Sequence, residues 1–308
     1  MSGAAKLSLG PVLFNWSPER WRDFYLRMAD EAPVDVVHVG EVVCSKRQPF
    51  FDKVIPEVVE RLTAAGKQVV LSSLALVMTE RERDGIRALT GEETGFLVEA
   101  NDYSAAAALK GRPHVVGPLV NVYNEGTLAY LARNGAVRVC LPPELSAATI
   151  GCLAGQGLTE IEVQAFGRLP LAISARCYHA RSRNLHKDGC QYVCGEDPDG
   201  MVVDTMDGKP FLAVNGTQTM SYHYANLLGE LTALRDLGVA HFRLSPHACD
   251  MVAVARLFRA VLDGGRSAEE AAAALEDLLP DAEFANGYVH GREGHRMVQG
   301  ESLPSGIL

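Results

Sequence analysis

Apolar positions along the chain follow two alternating patterns. Short β-rich runs occupy residues 7–14, 34–40, 68–74, 95–100, 114–120, 136–141, 160–164 and 239–244. Between them lie longer runs with apolar residues three and four apart, the period of one helix face. Strands alternating with helices build a parallel sheet. Eight such strands predict a (β/α)8 TIM-like barrel, with residues 1–308 as one domain.

Several helices are signalled at their ends. Ser17-Pro18-Glu19-Arg20 offers an N-cap serine and a proline at the first helical position, ahead of Trp21, Phe24, Tyr25 and Met28. Residues 51–65 carry Val54, Ile55, Val58, Val59 and Leu62 on one face and stop at Gly66. Residues 103–110 and 145–157 form weaker helices, the second with Cys152 on its buried side. Residues 267–279 read as a helix with Ser267 as N-cap and Glu270 completing a capping box. The polar tail after Gly287 is expected to be mobile.

The regular beat breaks after the seventh strand, where residues 175–238 form an insertion. It contains ARCYHARSRNLHKDGCQYVCGEDPDG, two short β-like pieces at 201–205 and 210–214, and a helical stretch at 223–237. A connection this long inside a compact domain serves a site or folds around a ligand.

Composition narrows the classes of function. A formal charge of -9 disfavours nucleic acid and anionic membrane surfaces, which require a basic face. No stretch approaches the roughly 20 apolar residues of a membrane span, and the first residues lack the apolar core of a secretion signal, so a cytoplasmic location is expected. Seven cysteines are then better suited to ligation or burial than to a disulfide framework.

Four of these thiols converge in a barrel. Cys44 follows the second strand, and Cys177 follows the seventh together with Cys190 and Cys194, so all four lie at the C-terminal mouth where barrel sites are built. Four thiolates suit an iron-sulfur cluster, with a structural zinc as the alternative, and the C-x12-C-x3-C spacing matches neither a zinc ribbon nor a bacterial ferredoxin run. A set without metal stays open as well. Cys140, Cys152 and Cys249 read as structural thiols. Arg176, Arg181, Arg183, His179, His186 and Lys187 are interleaved with the cysteines, where they compensate a negative cluster, receive an anionic substrate or simply face solvent. Asn15, Glu41, Asn101, Asp102, Asn121 and Asn124 follow strands at the rim, as substrate contacts or as caps and turns. The sequence contains no G-x-S-x-G elbow, Walker loop or H-E-x-x-H helix.

The segments LSLGPVLFNWSPERWRDFY, VDVVHVGEVVCSKRQPFF, EVQAFGRLPLAISARCYHARSRN and GCQYVCGEDPDGM, with LAVNGTQTMSY beyond, resemble the peptidase U32 family over nearly the whole chain. The likeness is to its members in ubiquinone biosynthesis. That resemblance implies a [4Fe-4S] cluster held by Cys44, Cys177, Cys190 and Cys194, and a heterodimer with a second U32 protein, UbiU. It implies oxygen-independent hydroxylation of the ring of ubiquinone precursors, with prephenate as oxygen donor. With no amphipathic anchor evident, the apolar precursor is expected to arrive on a lipid carrier. Two other roles compete: a non-catalytic iron-sulfur partner that stabilises UbiU, and a U32-type protease or RNA-modifying relative. The acidic charge disfavours the RNA role, and the lack of a visible nucleophile, base and oxyanion arrangement disfavours proteolysis.

Overall fold

The computed structural model describes residues 5–91 and 95–303. Strands β1 (Lys6–Leu9), β2 (Val36–Val39), β3 (Gln68–Ser72), β4 (Leu97–Ala100), β5 (His114–Val116), β6 (Ala136–Cys140) and β7 (Glu160–Ile173) pair in chain order, all parallel. The insertion adds β8 (Met201–Asp204), β9 (Pro210–Asn215) and β10 (Gln218–Asn226), after which β11 (Val239–Leu244) pairs with both β7 and β1 and closes the barrel. Among the described residues, eight parallel strands therefore form the (β/α)8 barrel expected from the alternation. Their runs of valine follow from burial on both faces, with helices outside and packed side chains within.

The outer layer comprises α1 (Pro18–Glu31), α2 (Gln48–Phe51), α3 (Ile55–Ala64), α4 (Glu80–Leu89), α5 (Tyr103–Ala108), α6 (Glu125–Arg133), α7 (Ala147–Gly155), α9 (Leu231–Asp236), α10 (Met251–Leu262) and α11 (Ala268–Leu278), while α8 (Tyr178–Ser182) lies in the insertion and packs against β9. Ser17 caps α1 by accepting the Arg20 N–H at 3.2 Å, and the helix buries Trp21, Tyr25 and Met28. Tyr25 also ties the helix to the mouth, since its hydroxyl accepts from Val12 N at 3.0 Å and donates to His38 O at 3.0 Å. The capping box at Ser267 and Glu270 forms as expected.

Several boundaries differ from the sequence expectation. The helix anticipated at 51–65 is two helices, because Pro56 near the start of α3 cannot supply the N–H that would continue α2. The stretch 223–237 begins as strand: β10 runs to Asn226 and helix α9 starts at Leu231. Cys152 faces outward on α7, with its thiol against the Glu125 carboxylate at 3.1 Å. Between Gly287 and Val298 the segment is pinned where it was expected to be mobile, and residues 304–308 of that tail lie outside the described residues. Asn286 exchanges hydrogen bonds with Val298, β12 (Phe284–Ala285) pairs with β10, and Val289 is buried.

Strand β7 is fourteen residues long and does two jobs. Its first half belongs to the barrel, while its second half leaves the mouth and pairs antiparallel with β10, from Phe166↔Asn226 to Ile173↔Gln218. A bulge near Met220 is filled by Arg168, whose guanidinium donates to Ser221 O and Tyr222 O and lies 4.6 Å from the Tyr224 ring. The transition turns at Gly167, with φ +100°. A Cβ there would stand 2.8 Å from both His247 Nε2 and Ser245 Cβ, in the space where His247 Nε2 accepts the Arg168 N–H at 2.9 Å. Gly167→Ala is expected to destabilise the protein by about 1–3 kcal/mol, read as a lower urea midpoint with an unchanged slope.

Candidate metal centre

The first cysteine is positioned by a turn built on a buried carboxylate. Glu41, just beyond β2, accepts the N–H groups of Val43 and Cys44 through Oε1 at 2.8 and 2.9 Å. Burial pushes the Glu41 carboxyl up, against the pull of nearby Arg47. Burial likewise raises the Cys44 thiol, and Arg47 again opposes it.

The other three come from the insertion. Cys177 is the N-cap of α8, its sulfur accepting the Ala180 N–H at 3.4 Å. Cys190 and Cys194 are brought round by two consecutive left-handed residues, Gln191 and Tyr192. His179, one of the basic residues interleaved with the cysteines, is committed elsewhere: fully buried, it lies 2.7 Å from Asp197 Oδ2 through Nε2 and accepts the Gly216 N–H at Nδ1. Both ring nitrogens serve the packing of the insertion against β9 and β10.

Cys44, Cys177, Cys190 and Cys194 line one cavity together with Arg47 and Gly216. Topology thus unites residues from two distant loops, as the sequence implied. The open space between them, about 10 Å³, is at the lower limit for a single water. Among the described residues, no group of three or more His, Cys, Asp or Glu is placed to hold a single metal ion. The thiols share a cavity without closing on one point.

Arg47 makes the cavity receptive to negative charge. It is 1% exposed, donating through Nη1 to Leu13 O at 2.8 Å and through Nη2 to Asn215 Oδ1 at 2.9 Å. Its Nε is buried without a hydrogen-bond partner. Although burial opposes its charge, Glu41 and the Cys194 and Cys44 thiols hold the guanidinium above its ordinary value. Gly216 lets it approach: a Cβ there would sit 2.6 Å from Nη2, at a backbone φ of +65°. Cys177 also feels Cys194 and Cys190, which add to burial in raising its thiol. A soft, four-thiol donor set beside a buried, incompletely satisfied guanidinium fits an anionic thiolate-bound cluster.

Most polar rim residues prove structural. Asp102 and Asn124 cap α5 and α6, and Asn121 takes a left-handed turn. Asn15 packs beside Gly195. Asn101 instead reaches a small cavity in the barrel mouth, of about 30 Å³, with Glu99, Gln164, Gln218, Arg243 and Ser245. Below it Arg243 donates to Glu99 at 2.6 Å and Glu162 at 2.8 Å. His38 Nδ1 stands 3.4 Å from Glu99 without hydrogen-bond alignment. Despite burial, Arg243 and His38 hold Glu99 well below the usual carboxylate range and Glu162 at about 2. Sequence reasoning passed over this network and Arg47. Its signal was nevertheless present, as single charged residues inside otherwise apolar strands.

The sequence profile of peptidase family U32 matches residues 21–299. Among solved structures, the fold is similar to a dihydropteroate synthase of Thermus thermophilus at 13% identity, covering 86% of this chain and 94% of that one, with TM-score 0.43. A spore coat polysaccharide biosynthesis protein of Bacillus subtilis matches at 12% identity over 90% of this chain and 70% of its own, TM-score 0.45. Tryptophan synthase of Pyrococcus furiosus matches at 13% identity over 90% and 99%, TM-score 0.39. With its profile match spanning all but the ends, this barrel belongs to the peptidase U32 family.

Proposed function

We propose that the chain is a UbiV-type protein: the [4Fe-4S] subunit of a heterodimer with UbiU that hydroxylates the ring of ubiquinone precursors without oxygen. The observation that carries this reading is the convergence of Cys44, Cys177, Cys190 and Cys194 on one cavity against the buried Arg47. These four residues hold the cluster. Bound there, it supplies electron transfer or Lewis-acid polarisation. Arg47 offsets negative charge in a site with little water, and the Glu41 turn orients Cys44. Prephenate is the proposed oxygen donor and a lipid carrier the source of the apolar precursor, whose ring must be shielded from water while it reacts. No helix among the described residues is long and apolar enough to cross a membrane.

The test is anaerobic purification, alone and with UbiU, followed by iron, acid-labile sulfide and EPR measurements. About four irons and four sulfides per chain are expected, lost in Cys190→Ala and retained when Cys140, Cys152 and Cys249 are all replaced by serine. Zinc in place of iron, or no metal after reconstitution, sinks the cluster assignment. Should cluster-free chain still bind UbiU and sustain ubiquinone formation without oxygen, its role is that of a stabilising partner and the catalytic reading fails.

A further inference from the structure

We propose that a lateral cavity between α4 and the α2–α3 segment, behind the turn that carries Cys44, binds a small primary amine with an aliphatic body. The cavity holds about 260 Å³, just below the range of about 300–1,000 Å³ usual for small-molecule sites, so its ligand is short. It is distinct from the thiol cavity, with which it shares no lining residue.

The void has an identifiable cause in the sequence. Helix α4 turns Glu82, Gly85, Ile86 and Leu89 to one side, three and four residues apart, and all four line the cavity. Gly85 is the position that leaves it unfilled, since a Cβ there would meet no atom within 4 Å. A glycine inside a helix costs stability that almost any other residue would recover. The open space is therefore kept at the expense of the helix.

The charges around the void identify the ligand. Glu41, Asp52 and Glu82 line it against a single cation, Arg81. Glu82 is a fixed anion: against partial burial, hydrogen bonds from Ser45, Met78 and Thr79 hold its carboxyl at about 2. Glu41 is only 8% exposed. Its Oε1 accepts the Val43 and Cys44 N–H groups, while Oε2 makes no hydrogen bond among the described residues. A buried acceptor with capacity to spare is best met by a charged donor, and a primary ammonium offers three N–H groups. Ile55, Leu71, Leu74 and Ile86 supply apolar wall, and no aromatic ring lines the cavity among the described residues. An aliphatic chain buried there gains with each methylene.

Calorimetric titration of the full chain with hexylamine, 1-hexanol, hexanoate and methylamine tests it. Hexylamine should bind saturably, at least about tenfold tighter than 1-hexanol, the worth of one charged hydrogen bond. It should also exceed methylamine, which lacks the apolar body, at least about tenfold, and hexanoate should not bind. Gly85→Leu should abolish binding while the urea midpoint holds or rises, because the side chain enters open space and the glycine penalty is removed. Glu41→Gln should weaken binding at least about tenfold. Its amide oxygen can still accept the two N–H groups of the turn, and near-UV circular dichroism checks the fold. Glu57→Gln, at an exposed position of α3 outside the cavity, should stay within about twofold. The proposal is overturned by an absence of saturable hexylamine binding, by any of the other three probes binding as tightly, or by unchanged binding in Gly85→Leu or folded Glu41→Gln. A loss in Glu57→Gln equal to that in Glu41→Gln overturns it too. If Glu41→Gln misfolds, Gly85→Leu decides alone.

Discussion

Arg243→Met is expected to lose at least about 3–5 kcal/mol of stability, the usual cost of removing one partner from a buried ion pair. Here the loss strands two carboxylates together. Glu99 and Glu162 are fully buried, and Arg243 donates to both. Against a typical total of about 5–15 kcal/mol, the single variant should be marginal or unfolded in urea titrations. The companion Arg243→Met/Glu99→Gln/Glu162→Gln removes the stranded charges and should recover most of the loss, because replacing a whole buried charge set costs far less than breaking it. A single variant as stable as wild type would show that the network contributes nothing. The same network sets an acid limit. Both carboxylates titrate below their unfolded value of about 4.3, Glu162 at about 2, so their contribution is complete above about pH 4 and is lost as pH falls towards 2. Wild type should weaken through that window, and the triple variant should respond less.

Arg47→Met is expected to fail twice, in stability and in metal retention. Its guanidinium is the neighbouring positive group for the buried Glu41 carboxylate and for Cys44 and Cys194. The expected loss is again about 3–5 kcal/mol, measured by denaturation of the metal-free chain. Adding Glu41→Gln should restore most of that stability without restoring iron, because the thiol cavity would still lack its counter-charge. If Arg47→Met binds iron as wild type does at equal stability, the guanidinium has no part in the site. Arg47→Lys separates charge from shape: it keeps a cation but cannot reach Leu13 O and Asn215 Oδ1 together as the fork does.

The barrel was legible because parallel strands buried on both faces write themselves as valine-rich runs, as in β2 and β3. The four cysteines were legible because strand ends in this fold share a face. Other features depend on pairing that periodicity does not encode. The antiparallel half of β7, which the sequence pattern left unassigned, and the end of β10, read as helix from residue 223, are set by a bulge and by Arg168 against carbonyls more than fifty residues away. The docking of residues 284–298 beside β10 arises from strand pairing at Phe284 and Ala285 and from Asn286 bonding Val298. Arg47 resembles any surface arginine in a short loop; only the tertiary approach of Asn215 and Gly216 buries it.

The continuity of β7 also constrains how the barrel mouth can be reached. Because one uninterrupted strand is both a stave of the barrel and the edge to which β10 is laddered, the insertion has no slack joint on that side. Swinging it away as a lid would break the ladder and extract Arg168 from its rings and carbonyls. Traffic to the mouth must instead pass between side chains while the insertion stays docked.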